Sequence, residues 1–181
     1  MQKLAQHSRD KVIDVLTGRL TFERAGVRLY DSIIGKVQAA VAQSPQLGRL
    51  LEPLKEHRNE EKEHEEWLEA QIRALGGDVH TKTAMAQLIE IESQGIEKIM
   101  LDSDPDISHL FHALLSAELA DHAGWELLVE LADEADDKEA KRGFKKRLHE
   151  EEDHLVFARR VMIKLARRDV LGEQVSLPTG P

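Results

Sequence analysis

The sequence has no cysteine and few aromatic residues, and both shortages limit what the protein can be. Without cysteine there is no disulfide bond, no thiolate catalyst, no zinc finger and no rubredoxin-type iron site. Aromatic residues make up 4% of the chain, whereas leucine, alanine, glutamate and lysine are abundant, a composition typical of helical proteins. The 181 residues, 33% of them charged and 41% hydrophobic, suit one globular domain with a sizeable core.

Long apolar segments and an excess of positive charge are missing as well. No apolar run approaches the length of a membrane-spanning helix, and the first residues lack the apolar segment of a signal peptide. We therefore expect a cytoplasmic protein without a membrane partner. The formal net charge of -9 argues against nucleic acid as a partner.

Apolar residues recur every three or four positions in four segments, which predicts four helices that each turn one face to a common core. The segments are residues 13–41, 50–75, 107–132 and 140–165. Short connections join the first helix to the second and the third to the fourth, so each pair should form an antiparallel hairpin. Asp104, Pro105 and Asp106 stand where the third helix should begin.

About thirty residues separate the two predicted hairpins, and residues 83–101 within them have the pattern of an extra helix in a long crossover. We therefore predict an all-α four-helix bundle over residues 1–166, in which two antiparallel hairpins are joined by that crossover. The remaining residues, 167–181, form a C-terminal tail that ends in LPTGP, which cannot be helical. This tail is predicted to be a docking strap or a disordered segment.

Polar side chains stand in the middle of each predicted apolar face, where the helical period favours apolar ones. Two of the faces carry Glu-x-x-His, which places both side chains on one side of a helix, and the other two carry one glutamate each. The intervals between successive glutamates, 38 and 33 residues, bring them level in an antiparallel hairpin. The six side chains expected to meet are Glu23, Glu61, His64, Glu118, Glu151 and His154.

The energetic cost of burying four carboxylates favours a metal site. Each unpaired buried charge costs several kcal/mol, and four would exceed a typical total stability of ~5–15 kcal/mol. Two divalent cations would balance four glutamates with neutral histidines. Oxygen and nitrogen donors without sulfur suit iron, or else manganese. A single Glu-x-x-His arises easily by chance, and a buried salt-bridge network without metal is the alternative.

On these residues the sequence resembles the ferritin-like superfamily of ferritins, bacterioferritins and rubrerythrins, over roughly residues 10–165. The segment 60–69, EEKEHEEWLE, is similar to the metal-binding helix of bacterioferritins. Tyr30, seven residues after Glu23, stands where members of these families place a tyrosine beside the metals. Asp121, three residues after Glu118, stands where rubrerythrins carry an extra iron-binding carboxylate, although here it is Asp rather than Glu.

The resemblance implies a di-iron protein that reacts with O2 or H2O2, as a rubrerythrin-like peroxidase or a ferroxidase. It implies that Glu61 and Glu151 bridge two metal ions and that Tyr30 and Asp121 take part in the reaction. Without a rubredoxin domain, electrons would come from Fe(II) or a separate donor. The tail shows no cage-forming terminal helix, so a homodimer is expected rather than a storage cage. Iron storage, a manganese catalase and a metal-free scaffold are the alternatives.

Several residues near the predicted metal site have two possible roles each. Asp121 would bind a metal or accept a hydrogen bond from a ligand histidine, and Tyr30 would hydrogen-bond a ligand or simply pack in the core. His57 and Arg147, each four residues before a predicted bridging glutamate, would orient ligands or lie at the rim. His122 and His149 are predicted to be surface residues, and the basic run 141–147 a solvated face.

Overall fold

The structure, a computed structural model, describes residues 1–100 and 106–180. Five α-helices make up most of these two ranges, and neither range contains a strand. The helices are α1 (Gln2–Ala40), α2 (Leu51–Ala74), α3 (Ala84–Met100), α4 (Ile107–Glu134) and α5 (Lys138–Leu171). A 3-10 turn, Pro45–Leu50, leads into α2. The prediction of an all-helical chain is confirmed, and α3 coincides with the extra helix predicted within residues 83–101.

The helix ends follow local chemistry. The Asp106 side chain accepts a hydrogen bond from the backbone N–H of Ser108 at the start of α4, and Asp137 accepts one from Ala140 at the start of α5. Helix α5 ends at Gly172, whose φ of 67° lies in the left-handed region that glycine tolerates. It therefore runs beyond residue 167, where the tail was predicted to start.

Helix α1 begins earlier than the apolar pattern indicated, at Gln2, with a kink at Ser8. The predicted end of the crossover helix at Leu101, and the predicted signals Asp104 and Pro105 before α4, lie outside the described residues, as does Pro181.

Side-chain contacts show the direction of each helix pair. Arg58 of α2 binds Asp31 of α1, whereas residues farther along α2, such as Glu65, bind Arg24, which lies earlier in α1. The two helices are therefore antiparallel.

Helices α4 and α5 are antiparallel by the same reasoning. Ser108, near the start of α4, donates to Asp169 near the end of α5, and Lys141, near the start of α5, pairs with Asp133 near the end of α4. Helix α3 crosses α1 closely at Gly18, where a Cβ atom would collide with the side chain of Met85.

The interior consists of two apolar clusters with a polar layer between them. One cluster includes Phe111 and Phe157, and the other includes Trp125 and Phe144. On α2, α4 and α5, the buried polar residues stand between the residues of one cluster and those of the other, and on α1 Glu23 lies where the two clusters meet, next to Phe22 of one and three residues after Leu20 of the other. Leu177 of the tail is 3% exposed and packs into the first cluster, so this part of the tail is docked.

Within the described ranges, no helix has the length and apolar character needed to cross a membrane.

Candidate metal centre

The polar layer contains all six side chains that the sequence singled out. Helix α1 supplies Glu23, α2 supplies Glu61 and His64, α4 supplies Glu118, and α5 supplies Glu151 and His154. None of these residues is more than 2% exposed. We refer to them as the six-residue cluster.

The cluster divides into two overlapping groups of four, each able to surround one ion. One group is Glu23, Glu61, His64 and Glu151, and the other is Glu61, Glu118, Glu151 and His154. Within each group, one donor atom from every residue lies within 4.8 Å of the others. Glu61 and Glu151 belong to both groups, so they occupy the positions from which a carboxylate can bridge two ions.

The carboxylate of Glu151 faces both histidines. Its Oε1 lies 2.9 Å from Nδ1 of His64, and its Oε2 lies 3.2 Å from Nδ1 of His154. Nδ1 of His154 is also 3.4 Å from Glu61 Oε1 and 3.7 Å from Glu118 Oε2. Donor atoms that share an ion at ~2.1 Å in an octahedral arrangement stand about 3 Å apart, so these separations suit coordination.

The hydrogen bonding of the cluster tests whether a metal fits, because buried polar atoms without partners are rare and costly. Every one of the six residues has at least one buried side-chain oxygen or nitrogen that makes no hydrogen bond, and these atoms include Nδ1 of both histidines and both oxygens of Glu151. Ions placed among these atoms would satisfy them. The residues therefore fit a metal site made of carboxylate and imidazole donors.

The opposite nitrogen of each histidine is held by a carboxylate from the other hairpin. Nε2 of His64 lies 3.0 Å from Glu150 Oε2, and Nε2 of His154 lies 2.8 Å from Glu60 Oε2. Such an outer carboxylate fixes the ring and favours a proton on Nε2, which leaves Nδ1 free to bind a metal. We call Glu60 and Glu150 the outer carboxylates.

Without a cation the cluster must balance its charge with protons, and the pKa values show this. Burial, followed by the charge of Glu151, raises the pKa of Glu61 well above its ordinary value, and burial raises the pKa of Glu118 to about 8. Burial lowers the pKa of His64, but its contacts with Glu150 and Glu151 outweigh this and raise the pKa to about 12. Metal ions would replace these protons, because bound ligands must be deprotonated.

Asp121 lies beside the cluster, but its partner is Arg19. The guanidinium Nη2 of Arg19 is 3.1 Å from Asp121 Oδ1, and its Nε donates to Glu23 Oε1 at 3.0 Å. Neither four-residue group includes Asp121. The positive charge of Arg19 offsets the negative charge of Asp121. The four glutamates therefore still leave four negative charges for cations to balance.

Tyr30 is fully inside the protein and contacts a predicted ligand. It is 1% exposed, and its hydroxyl donates to Glu118 Oε1 at 2.8 Å. Burial and the charge of Glu118 raise the pKa of Tyr30 well above its ordinary value, so the phenol stays protonated and remains a donor. This leaves Glu118 Oε2 as the oxygen that faces the cluster.

The remaining candidates lie in different surroundings. The ring of His57 packs 4.3 Å from that of His154, and burial, with the charge of His154, lowers the pKa of His57 to about 3. His57, Glu60 and His154 form a third close group. Because Glu60 already binds Nε2 of His154, we interpret this group as a set of contacts that holds the ring of His154 in place, rather than as a further metal site.

Arg147 packs over the ring of Trp67 at 4.1 Å. The side chain of His149 is 77% exposed and that of His122 20% exposed, and neither belongs to the close groups.

Sequence reasoning missed Arg19 and the two outer carboxylates. The outer carboxylates did leave a signal, because each Glu-x-x-His is preceded directly by another glutamate, which makes Glu-Glu-x-x-His in both halves. Arg19 stands four residues before Glu23 on the same helix, a spacing that allows contact.

Gly26 was also missed. A Cβ atom at this position would collide with the carboxylate of Glu61, so glycine leaves the space that Glu61 occupies.

Comparisons with known proteins identify a family. No curated protein and no solved structure matches the chain. One family model matches residues 29–170, a range that covers most of the chain and includes every residue of the six-residue cluster except Glu23. The chain therefore belongs to the family described as "Domain of unknown function (DUF892)".

Proposed function

We propose that this protein is a ferritin-like di-iron protein that uses a two-metal centre in a redox reaction with O2 or H2O2. In this proposal α1, α2, α4 and α5 are the four helices of a ferritin-like bundle, and α3 lies in the crossover between its hairpins. The observation that carries the proposal is the overlap of two buried four-residue groups at Glu61 and Glu151.

The donor set supports two ions rather than one. Each group has its own histidine and its own terminal glutamate, and the two groups share two further carboxylates. Two divalent cations would balance the four glutamates, which a single cation would not do. Oxygen donors with two imidazoles suit iron and also manganese, and iron is the metal we propose.

A bound pair of iron ions would supply the electrons for reduction of O2 or H2O2. The chain would fix the ligands and exclude bulk water, since the six residues are at most 2% exposed and lie between two apolar clusters. Tyr30 would orient Glu118 through its hydroxyl, and Arg19 would orient Glu23. Electrons for repeated turnover would come from Fe(II) or from a separate donor protein.

The proposal is tested by anaerobic titration of the purified metal-free protein with Fe(II), followed by O2 or by H2O2. We expect about two ions per chain and oxidation that is faster with peroxide. Glu151→Gln should abolish the two-ion stoichiometry. Glu152→Gln is the matched control, because Glu152 directly follows Glu151 on the same helix and its side chain is 55% exposed.

Three results would count against the proposal. Iron binding no tighter than in an unrelated helical protein would remove its basis, and so would equal binding by both variants. Retention of many irons per chain with faster use of O2 would instead favour iron storage.

A further inference from the structure

A second polar region lies between α2 and α5, outside the six-residue cluster. It is a pocket of about 370 Å³, a size within the lower range of small-molecule sites. The α2 side contributes Trp67 and Gln71. The α5 side contributes the residues Glu139, Ala140, Arg142, Gly143, Lys146 and Arg147, and Met1 completes the lining.

Arg147 is a buried cation in this pocket with an unused hydrogen-bond donor. It is 8% exposed, its Nη1 donates to the backbone oxygen of Gly143 at 3.0 Å, and its guanidinium lies 4.1 Å above the ring of Trp67. Its Nε makes no hydrogen bond, and no carboxylate pairs with it in the described part of the chain. Burial lowers the pKa of Arg147, although the charges of Glu150, Glu23 and Glu63 oppose this.

The rim of the pocket adds further positive charge. Arg142 is exposed and has no ion-pair partner among residues 1–100 and 106–180. Lys146 pairs with Glu150 at 2.7 Å, and Glu139 is the one acidic residue in the lining. Lys146 is therefore neutralised by Glu150, whereas Arg142 and Arg147 have no ion-pair partner in the described part of a chain whose net charge is -9.

A second pocket, of about 300 Å³ between α1 and α3, provides a comparison, because its positive charges are neutralised by carboxylates of the same chain. Its three cations each have a carboxylate partner. Arg24 pairs with Glu69 at 2.6 Å, Arg28 with Glu97 at 2.6 Å, and Lys82 with Glu90 at 2.9 Å. The pocket around Arg147 differs because its buried guanidinium has no such partner.

We propose that the pocket between α2 and α5 binds a phosphate group, with Arg147 and Arg142 as its donors and Lys146 at its edge. A planar guanidinium with a free N–H is well suited to a phosphate oxygen. The stacking of Arg147 on Trp67 fixes its orientation before the ligand arrives. Gly143 permits this stacking, since a Cβ atom there would stand 2.7 Å from the indole ring.

Titration of the metal-free protein by calorimetry tests the site directly, with inorganic phosphate as the probe and chloride holding the ionic strength constant. We expect saturable binding at one site per chain. Arg147→Gln should weaken it about tenfold or more, and Arg142→Ala by about threefold to tenfold, because a bond to a charged group is stronger at a buried position than at an exposed one.

Arg160→Ala is the matched control, because Arg160 is an exposed arginine on α5 outside the pocket, and its substitution should leave binding unchanged. Circular dichroism would show whether Arg147→Gln folds, and exposed Arg142 provides an independent test if it does not. Tighter binding of adenosine monophosphate than of phosphate would identify a nucleotide as the source, and equal binding would identify phosphate itself. Absence of saturable binding of both, or equal losses in Arg160→Ala, would overturn the proposal.

Discussion

The α1–α2 hairpin and the α4–α5 hairpin contribute equivalent residues to the six-residue cluster but surround them differently. The aromatic residue seven positions after the first glutamate is Tyr30 in one hairpin and Trp125 in the other. Each packs edge-on against the histidine of the opposite hairpin, Tyr30 on His154 at 6.0 Å and Trp125 on His64 at 5.6 Å. The two halves therefore exchange contacts in a nearly symmetric way.

The symmetry is broken three residues after the first glutamate of each hairpin. That position is Gly26 on α1, where there is space only for the carboxylate of Glu61, and Asp121 on α4, which pairs with Arg19. As a result Glu23 is held by a cation, whereas Glu118 is held by the neutral hydroxyl of Tyr30. A symmetric ligand set can thus provide two metal positions with unequal electrostatic surroundings.

The position four residues before each shared glutamate shows the same contrast. His57 packs edge-on against Phe157 at 5.1 Å and is buried and neutral, whereas Arg147 packs on Trp67 and opens onto a pocket. The residues that the sequence placed in equivalent positions therefore differ in charge, and only Arg147 lines the pocket between α2 and α5.

The largest expected effect, on metal binding, comes from replacing one of the two glutamates that belong to both four-residue groups. Glu61→Gln or Glu151→Gln should abolish binding of both ions, because each carboxylate belongs to both groups. Glu23→Gln or Glu118→Gln should leave about one ion per chain, because each belongs to one group. Equilibrium metal titration measures the stoichiometries. Loss of a single ion in Glu151→Gln would contradict a shared role.

Removal of the cation that breaks the symmetry should have the next largest effect. Arg19→Gln leaves Asp121 buried without its ion-pair partner, which should lower the free energy of unfolding by about 3–5 kcal/mol. Denaturant unfolding of the metal-free protein provides the measurement. Adding Asp121→Asn should recover part of the loss, and an equal stability of the single and double variants would show that the pair is not the cause.

Breaking either outer carboxylate tests whether the two halves support their histidines equally. Glu60→Gln and Glu150→Gln should each weaken metal binding by about 10–100-fold, because each loses a charged hold on a histidine ring. Glu63→Gln, an exposed substitution on α2, is the control. Competition with a chelator measures the affinities. Unchanged binding in both variants would refute the assigned role.

The turn of the α4–α5 hairpin depends on a carboxylate that titrates at low pH. Burial raises the pKa of Asp137, but hydrogen bonds from the backbone N–H groups of Ala140 and Leu4 outweigh this and lower it from 3.8 to about 2. Because the folded pKa is depressed, Asp137 stabilises the protein above pH 3.8 and loses this effect as pH falls toward 2.

From this pKa shift we expect the ionised Asp137 side chain to stabilise the protein by about 2 kcal/mol at neutral pH. Asp137→Asn should therefore be less stable than the parent by up to this amount at pH 6 and by much less at pH 2.5, as measured by urea unfolding at both values. A difference that does not change with pH would contradict this account of the turn.

The smallest expected effect concerns the neutral partner of Glu118. Tyr30→Phe removes one buried hydrogen bond and should lower the free energy of unfolding by about 1 kcal/mol, less than Arg19→Gln. The same denaturant experiment compares the two variants directly. If Tyr30→Phe were the more destabilising, the electrostatic difference between Glu23 and Glu118 would have to be reversed.

Much of this arrangement was visible in the sequence for a simple reason. A charged residue within an apolar helical face, such as Glu23 or Glu151, is exceptional, and similar intervals of 38 and 33 residues place such residues at one depth. The pairing of helices was also predictable, because short turns leave consecutive helices antiparallel. Helix ends were less predictable, as the extension of α5 to Leu171 shows, because no apolar periodicity marks an exposed final turn.

The contacts around the cluster could not be predicted in the same way. The doubled glutamate in each motif marks Glu60 and Glu150 as candidate site residues. It does not show that each of them contacts a histidine on another helix. The sequence likewise placed Asp121 on the inward face of α4 but did not predict that its partner would be Arg19. Partner choice depends on side-chain rotamers and on the rotation of each helix about its axis, which periodicity does not specify.

The sequence by itself determined an all-helical chain with six glutamate and histidine residues at one level, because helical periodicity and the cost of buried charge act locally and leave a readable pattern. Only the tertiary structure decided that Arg19 meets Asp121, 102 residues away, that Glu60 holds His154, 94 residues away, and that Arg147 lies beside a pocket without a carboxylate partner in the described ranges. Such contacts join helices that are distant in sequence, and they form only when all the helices pack together.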